Sequence, residues 1–328
     1  MEGLFEKVTA ASSIAISGHK KPDGDCIGAC LAMYNYITEN YNQDSTKKID
    51  VFLEYIPEEF HFLNGIEQVK KMPEDGMVYD LFLSLDCGSP DRLGAAEPWF
   101  ETAKQTINID HHISNTNFAE INHVLADASS TCEVLYLEME PEKINLKTAE
   151  CLYVGIVHDT GVFKHSNTSK QTMLIAAELL EKGVSSSKII DETFYQKTYV
   201  QNQILGRCLL ESVLVLDGKV IFSSVSQKIQ ELYGIQPSDL SGIIDQLRIT
   251  KGVEVAILLR EEGSQVYKVS LRANNDVDVS KIAVAFGGGG HVKAAGCSMT
   301  GTLHDVINNL TKYIEYQLRQ KEMIAEQD

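Results

Sequence analysis

The segment Asp80-Leu81-Phe82-Leu83-Ser84-Leu85-Asp86 has apolar side chains on both faces of an extended strand. Two apolar faces are typical of a strand in a parallel sheet that helices cover on both sides, because neither face then meets water. The strand ends in Asp86, a polar residue. We therefore predict an α/β fold in which this strand lies inside a mainly parallel sheet and places Asp86 at the carboxyl edge of that sheet.

The segments on either side of this strand repeat the alternation of strand and helix. Strands are predicted at residues 12–17, 49–53 and 106–109, and helices at 28–36, from about 130, at 146–157 and at 169–182. The helix near 130 is predicted to start at Ser130, because Ser130 and Glu133 have the spacing of a capping box. Such alternation is typical of a layered α/β sheet. Residues 1–185 are therefore predicted to form an α/β domain with a mainly parallel sheet flanked by helices.

A different pattern begins after residue 185. Residues 186–212 are rich in polar side chains and are predicted to form a helical linker. Strands are predicted at 213–216, 220–223, 253–259 and 266–271, and a last helix at about 302–319. The pair Asp217-Gly218 predicts a hairpin turn between the first two of these strands. Residues 213–328 are therefore predicted to form a smaller C-terminal α/β domain.

The composition excludes two classes of protein. The formal net charge of −17 repels polyanions, whereas proteins that track long DNA or RNA usually present a basic groove. No segment approaches the ~20 apolar residues of a membrane-spanning helix, and the N-terminus lacks the plan of a signal peptide. We expect a cytoplasmic protein that binds neither membranes nor long nucleic acids, so that any nucleic-acid substrate is short.

Residues that commonly bind metals follow three predicted strands and one predicted helix. They are His19, Asp23, Asp25, Asp86, Asp110, His111, His112, His158 and Asp159. Because the carboxyl ends of the strands form the ligand crevice of an open α/β sheet, we expect these side chains to gather at one edge. Each motif alone is more often a turn former or a helix cap. Together, carboxylates gathered in one crevice repel one another and need cations.

Two divalent cations balance the charge of this cluster. They supply four positive charges against the four carboxylates of Asp23, Asp25, Asp86 and Asp159. A mixture of carboxylate and imidazole ligands suits manganese, with cobalt, iron or magnesium as substitutes. The seven cysteines are scattered and fit reduced thiols. We expect those beside the ligands, Cys26 and Cys87, to be structural.

A second motif lies near the C-terminus, in the run Gly287-Gly288-Gly289-Gly290-His291-Val292-Lys293. Glycines let backbone amides approach a phosphate or a base, and a helix N-terminus after them favours negative charge. A glycine run alone indicates only a flexible loop. Here Arg272, on a predicted strand, and the cationic groups His291 and Lys293 bracket the glycines.

The N-terminal motifs resemble those of the DHH phosphoesterase superfamily, which includes RecJ-type exonucleases, family II pyrophosphatases and cyclic dinucleotide phosphodiesterases. The resemblance implies two manganese sites that Asp86 bridges. The implied ligands are His19, Asp23 and Asp86 in the first site and Asp25, Asp86, His111 and Asp159 in the second. The resemblance also implies that His112 faces the phosphate and stabilises charge in the transition state, while Asp110 orients His111 from the outer shell.

The glycine motif resembles the loop of the DHHA1 domain, the usual C-terminal partner of DHH domains in nucleic-acid-directed members. The resemblance extends from about residue 12 to residue 296. It implies a nucleotide-binding set made of Arg272, Gly288, Gly289, Gly290 and His291. Arg248 is a weaker candidate, because an arginine on a helix is usually only solvated.

Length, acidity and motif order are most similar to the bifunctional oligoribonuclease and 3′-phosphoadenosine-5′-phosphate phosphatase (nanoRNase) group. This implies a manganese-dependent phosphodiesterase and exoribonuclease that degrades short oligoribonucleotides and pApA-type dinucleotides to mononucleotides. Two alternatives stay open, namely a soluble cyclic dinucleotide (cyclic-di-AMP) phosphodiesterase and a non-catalytic nucleotide sensor. The polarity of cleavage and the oligomeric state stay open as well. His158 departs from the family pattern and is interpreted as a helix-end histidine, with an outer-shell role as the alternative.

Overall fold

The computed structural model describes residues 3–72, 74 and 76–325, with side chains described as far as Lys321. The chain forms two compact units, Met1–Gln196 and Lys197–Asp328. Each unit has its own six-stranded sheet and its own hydrophobic core. The division between the units falls within the predicted linker 186–212. The residues at which that linker begins and ends stay a prediction.

The sheet of the first unit is entirely parallel. Its strands are β1 (Ser13–Ser17), β2 (Lys48–Phe52), β3 (Val69–Lys70), β4 (Leu81–Leu85), β5 (Thr106–Asp110) and β6 (Ile121–Val124). Their order across the sheet is β3-β2-β1-β4-β5-β6. The four predicted strands are confirmed as β1, β2, β4 and β5. The sequence did not indicate β3 and β6, because the first has only 2 residues and the second is only partly buried.

Helices accompany this sheet along the chain. They are α1 (Leu4–Ala10), α2 (Gly24–Tyr41), α3 (Glu97–Thr102), α4 (Thr131–Glu138), α5 (Leu146–Asp159), α6 (Lys170–Glu181) and α7 (Ser186–Ile190). The predicted helices are confirmed as α2, α4, α5 and α6, but α2 begins earlier than predicted. The reason is Asp23, whose side chain caps the helix by accepting hydrogen bonds from the N–H groups of Asp25 and Cys26.

Alternate side chains of β4 enter two different cores. Leu81, Leu83 and Leu85 belong to the large core that α2 and α5 share with the sheet, while Phe82 lies in a separate cluster on the opposite face. In that cluster the rings of Phe82 and Phe100 have centroids 5.3 Å apart. All five residues of β4 are buried. The predicted α/β fold around a strand with two apolar faces is therefore confirmed.

The second unit contains a mixed sheet. Its strands are β7 (Val213–Val215), β8 (Val220–Val225), β9 (Val255–Gly263), β10 (Val266–Ala273), β11 (Gly289–His291) and β12 (Ala294–Thr300). Their order is β11-β12-β10-β9-β8-β7, with β8 and β9 parallel and the other pairs antiparallel. Asp217 and Gly218 turn the chain between β7 and β8 with positive φ angles of 52° and 80°, as predicted.

Helices cover both faces of this second sheet, which confirms a C-terminal α/β domain. They are α8 (Tyr199–Leu210), α9 (Gln227–Tyr233), α10 (Ile243–Arg248), α11 (Val279–Ala285) and α12 (Leu303–Ala325). One face packs on α11 and α12 and the other on α8 and α10. All seven cysteines of the chain are buried thiols. Within the described ranges, no helix combines the length and the apolar character needed to cross a membrane.

Candidate metal centre

Three neighbouring strands of the first sheet, β1, β4 and β5, end at the same edge. His19 lies shortly after β1, Asp86 directly follows β4, and Asp110 is the last residue of β5. The strand order reverses between β1 and β4, which is where open α/β sheets form a ligand crevice. Asp86 has a left-handed backbone conformation with φ of 53°, which aspartate tolerates better than most residues. The fold therefore brings the predicted ligands together.

His19 faces two carboxylates with one ring nitrogen. Its Nε2 lies 3.4 Å from Oδ2 of Asp86 and 3.6 Å from Oδ2 of Asp23. Its Nδ1 lies 2.9 Å from the carbonyl oxygen of Lys20. A proton on Nδ1, held by that carbonyl, leaves the lone pair of Nε2 directed at the carboxylates, as is usual for metal-binding histidines. This donor set fits a cation.

A second donor set lies beside Asp86. Nε2 of His111 is 3.0 Å from Oδ2 of Asp159 and 3.8 Å from Oδ1 of Asp86, while its Nδ1 is 3.3 Å from the carbonyl oxygen of Ala128. The donor atoms of Asp25, His111 and Asp159 lie within 4.8 Å of one another. Asp86 turns Oδ1 to this set and Oδ2 to the first one. A single carboxylate is therefore shared by both sets.

Thr131 orders the carboxylates of the site, and we did not predict this role from the sequence. Its N–H donates to Oδ2 of Asp25 at 2.6 Å, and the N–H of Cys132 donates to Oδ1 at 3.0 Å. The Thr131 hydroxyl donates to Oδ1 of Asp86 at 3.1 Å. These amides have no acceptor within α4 because they belong to its first turn. The helix start predicted at Ser130 was the sequence feature that could have located them.

The crowding of these groups raises the pKa values of one buried carboxyl group and of two imidazoles. Burial and the neighbouring carboxylates raise the pKa of Asp25 well above its usual value. Burial lowers the pKa of His19, but hydrogen bonds to two carboxylates outweigh it and raise the pKa to about 11. The same competition, with Asp159 as the main partner, raises the pKa of His111 to about 10. Cations bound between these groups would relieve the repulsion and displace the imidazole protons, so the donor set fits divalent metals.

Asp110 orients His112 and not His111, which corrects the expectation from the sequence. Its Oδ1 accepts a 2.8 Å hydrogen bond from Nδ1 of His112, and its Oδ2 accepts one of 2.6 Å from Nδ2 of Asn115. The reason is that residues two apart in an extended chain share a side, so Asp110 and His112 face each other. The bond to Asp110 raises the pKa of His112, which favours a cationic ring.

Cys26, which we expect to be structural, lies beside the first donor set. Its thiol, and not the carboxylate of Asp23, forms a compact group with His19 and Asp86. Burial raises the pKa of this thiol well above its usual value, whereas metals bind the thiolate. Asp23 uses Oδ1 to cap α2 and turns Oδ2 toward His19. The donor chemistry therefore favours Asp23 over Cys26 as a ligand.

In the second unit, two of the predicted nucleotide-binding residues, Arg272 and His291, lie along one row of the sheet. Arg272 of β10 is in register with Ala294 of β12, which is in register with His291 of β11. Residues paired in this way share a face of the sheet, so Arg272 and His291 flank the small side chain of Ala294. Oδ1 of Asp245 lies 3.7 Å from Nε of Arg272 and 3.5 Å from Nε of Arg248. Two guanidinium groups therefore share one carboxylate beside this row.

The glycine run forms a strand and is followed by another strand, not by a helix. Gly289–His291 is β11, which runs antiparallel to β12. A Cβ on Gly288 would lie 2.2 Å from the carbonyl oxygen of Gly296, and one on Gly290 would lie 2.5 Å from a carbonyl oxygen of β12. A Cβ on Gly289 would meet nothing within 4 Å. Gly288 and Gly290 therefore permit close packing of the strands, whereas the backbone of Gly289 stays accessible.

Two family models match the chain. The DHH family, N-terminal domain, matches residues 13–156, and the DHHA1 domain matches residues 217–320. The first match contains β1 to β6 and all the candidate ligands except Asp159. The second contains the row of Arg272, Ala294 and His291.

Several proteins resemble the chain over most of its length. The bifunctional oligoribonuclease and PAP phosphatase NrnA of Bacillus subtilis is 26% identical over 302 residues, covering 90% of this chain and 92% of that protein. The protein of the same name from Thermus thermophilus is 29% identical, and the match covers 88% of this chain and 84% of that protein. The crystal structure of an exopolyphosphatase-related protein from Bacteroides fragilis has a TM-score of 0.84 at 24% identity, covering 96% of this chain and 95% of that one. This last likeness bears on the fold alone.

Proposed function

Because this chain belongs to the DHH/DHHA1 family of phosphoesterases, we propose that it is a manganese-dependent exoribonuclease that degrades short oligoribonucleotides to mononucleotides. The proposed substrates include pApA-type dinucleotides and 3′-phosphoadenosine-5′-phosphate. The names of two relatives that match most of the chain support this choice. The observation that carries the proposal is the carboxylate of Asp86, whose two oxygens face two separate donor sets.

The proposed metal ligands follow these donor sets. They are His19, Asp23 and Asp86 for one cation and Asp25, Asp86, His111 and Asp159 for the other. Mixed oxygen and nitrogen donors suit manganese, and cobalt, iron or magnesium are the proposed substitutes. When bound, a pair of such cations supplies an activated water at neutral pH and offsets charge on the phosphoryl group. Asp86, which would hold both cations, and His111, which would hold one of them, are thus proposed as catalytic residues.

His112 is the proposed catalytic residue that contacts the phosphate directly. Asp110 holds its Nδ1 at 2.8 Å, which leaves Nε2 to donate to a phosphoryl oxygen. The side chain is 43% exposed, compared with 15% for His111, so a substrate can reach it. A cationic imidazole gains most where negative charge builds up in the transition state.

The proposed nucleotide-binding residues lie in the second unit. They are Arg272, Gly288, Gly289, Gly290 and His291. A guanidinium group binds phosphate through charge-assisted hydrogen bonds, and the accessible backbone of Gly289 permits close approach of a ligand. The net charge of −17 disfavours long polyanions, which supports RNA substrates of roughly two to five nucleotides. We propose that the enzyme acts in the cytoplasm.

A substrate panel tests the proposal. The purified protein is incubated with manganese and, separately, with a labelled RNA trimer, linear pApA, cyclic-di-AMP and 3′-phosphoadenosine-5′-phosphate. We expect mononucleotides from the trimer and from pApA, and AMP with inorganic phosphate from the last substrate. Protein treated with a chelator is the control. No hydrolysis by protein that retains its manganese would rule out the proposal.

The same panel separates the two alternative functions. Faster hydrolysis of cyclic-di-AMP than of pApA would identify a cyclic dinucleotide phosphodiesterase. Tight nucleotide binding without turnover would identify a non-catalytic sensor.

A further inference from the structure

His158 is enclosed by aromatic side chains at the end of α5. It is the residue before Asp159, which ends the helix. The centroid of its ring lies 5.0 Å from that of Phe60 and 5.7 Å from that of Phe194, and both pairs meet edge to face. Such pairs stabilise a defined ring orientation beyond simple burial. The imidazole therefore has a fixed place inside the first unit.

Gly24 lies directly against the His158 ring. A Cβ at Gly24 would lie 2.3 Å from Cγ of His158 and 2.7 Å from its Cβ, so a side chain at this position would displace the ring. Gly24 stands between Asp23 and Asp25 at the start of α2. The imidazole thus rests on the peptide that separates two proposed metal ligands, and its own backbone continues into a third, Asp159.

The other side of the ring is bound to the last segment of the first unit. Nε2 of His158 lies 2.9 Å from Oγ1 of Thr193, and that hydroxyl donates to the carbonyl oxygen of Ile189 at 2.8 Å. Because the hydroxyl proton is used there, Thr193 accepts and Nε2 donates. Thr193 belongs to a π-helical turn, Asp191–Tyr195. Such turns are rare and occur frequently at functional sites.

We propose that His158 is a positioning residue that sets the arrangement of Asp23, Asp25 and Asp159, and that its hydrogen bond to Thr193 holds it in place. This inference rests on the proposed metal ligands. A shift of the ring moves the Gly24 peptide and the backbone that leads into Asp159, so carboxylates on two helices respond to one contact. Metal affinity therefore depends on the conformation of residues 189–195.

Thr193→Val tests this proposal without changing any residue at the site. Valine has nearly the shape of threonine but lacks the hydroxyl that accepts from His158. We expect roughly tenfold weaker manganese binding in isothermal titration, as is typical when an outer partner of a metal site is lost. The rise in melting temperature that manganese produces should shrink accordingly. Thr193→Ser keeps the hydroxyl and should restore both values.

Two further variants separate positioning from general stability. Thr311→Val removes a hydroxyl that donates to the carbonyl of Ile307 in the second unit, and it should leave manganese affinity unchanged. His158→Ala should weaken manganese binding at least as much as Thr193→Val. If both first-unit variants lower the melting temperature equally with and without manganese, at unchanged affinity, His158 is only structural and the proposal is overturned. If the unaltered protein binds no manganese, the proposed ligands fail together with this inference.

Discussion

The hydroxyl of Thr131 donates a 3.1 Å hydrogen bond to Asp86, and the N–H of the same residue donates one of 2.6 Å to Asp25. Both carboxylates are buried, and they come from different elements, since Asp86 follows β4 and Asp25 lies in α2. One residue at the start of α4 therefore orients two proposed ligands. The geometry of the site depends on this helix terminus as well as on the ligands themselves.

Thr131→Val removes the hydroxyl and keeps the N–H that holds Asp25. We expect manganese affinity to fall roughly tenfold, because Asp86 loses the partner that orients it. Isothermal titration measures the effect, and Thr131→Ser is the matched control because it retains the hydroxyl. Equal affinity in the valine and serine variants would show that this hydrogen bond does not orient Asp86.

Asp86→Ala removes the carboxylate that both donor sets share. We expect turnover of an RNA trimer to fall far more than tenfold, as happens when residues that act as a unit are broken apart. Elemental analysis should also find less manganese per chain. Asp91→Ala is the control, because Asp91 is an exposed carboxylate close to the same strand end. Wild-type turnover in Asp86→Ala would contradict the ligand assignment.

Asp110→Asn keeps the shape of the side chain and removes its charge. We expect kcat to fall roughly tenfold or more while the manganese content stays unchanged, because Asp110 bonds to the ring of His112 and not to the ring of His111. Since Asp110 raises the pKa of His112, an NMR titration should find a lower pKa for this ring in the variant. Loss of manganese, with the pKa of His112 unchanged, would indicate that Asp110 supports the metal ligands instead.

Asp245→Asn tests the carboxylate that two arginines share. Its Oδ1 lies 3.5 Å from Nε of Arg248 and 3.7 Å from Nε of Arg272. Removing its charge should strengthen AMP binding roughly threefold, a small gain because the carboxylate is partly exposed to solvent. Arg272→Ala should weaken AMP binding and leave manganese affinity unchanged. If calorimetry finds no change in either variant, the phosphate binds elsewhere.

Asp80 stabilises the first unit at neutral pH, and this contribution is lost in acid. Its carboxylate accepts a 2.7 Å hydrogen bond from Nζ of Lys104 and bonds of 3.0 and 3.1 Å from the N–H groups of Ser12 and Ser13. These bonds, with Lys104 the largest contributor, lower its pKa from 3.8 to about 2. A lowered pKa contributes stability above the unfolded value, and this contribution is lost as the pH falls through the folded value.

Chemical denaturation as a function of pH measures this contribution. The protein should be more stable than Asp80→Asn at neutral pH, and the difference should shrink between about pH 4 and pH 2. Lys104→Gln should lose only part of the stability that Asp80→Asn loses at neutral pH, because the backbone donors to Asp80 remain. A gap between wild type and Asp80→Asn that does not change with pH would contradict the assignment.

The fold class could be predicted because it depends on local patterns. Leu81 to Leu85 present apolar groups on both faces, and this alone indicates a strand between two layers. The start of α4 followed from the spacing of Ser130 and Glu133, where the N–H of Glu133 does bond to the Ser130 hydroxyl at 3.0 Å. β3, β6, β11 and β12 were not predicted. The first three are short strands, which gain their stability from the neighbouring strand with which they pair, and β12 begins with the small residues Ala294, Ala295 and Gly296, which give no strand pattern.

Local patterns predicted which donors this protein has and which strand ends carry them, because both are properties of residues close together in the chain. The contacts among these groups followed only from the folded chain: they include the meeting of the donors, the pairing of Asp110 with His112, and the bond of Thr131 to a carboxylate 106 residues away. A hydrogen bond constrains a side chain only within about 3 Å of its partner. Such distances between remote segments are set by the packing of the whole sheet and its helices.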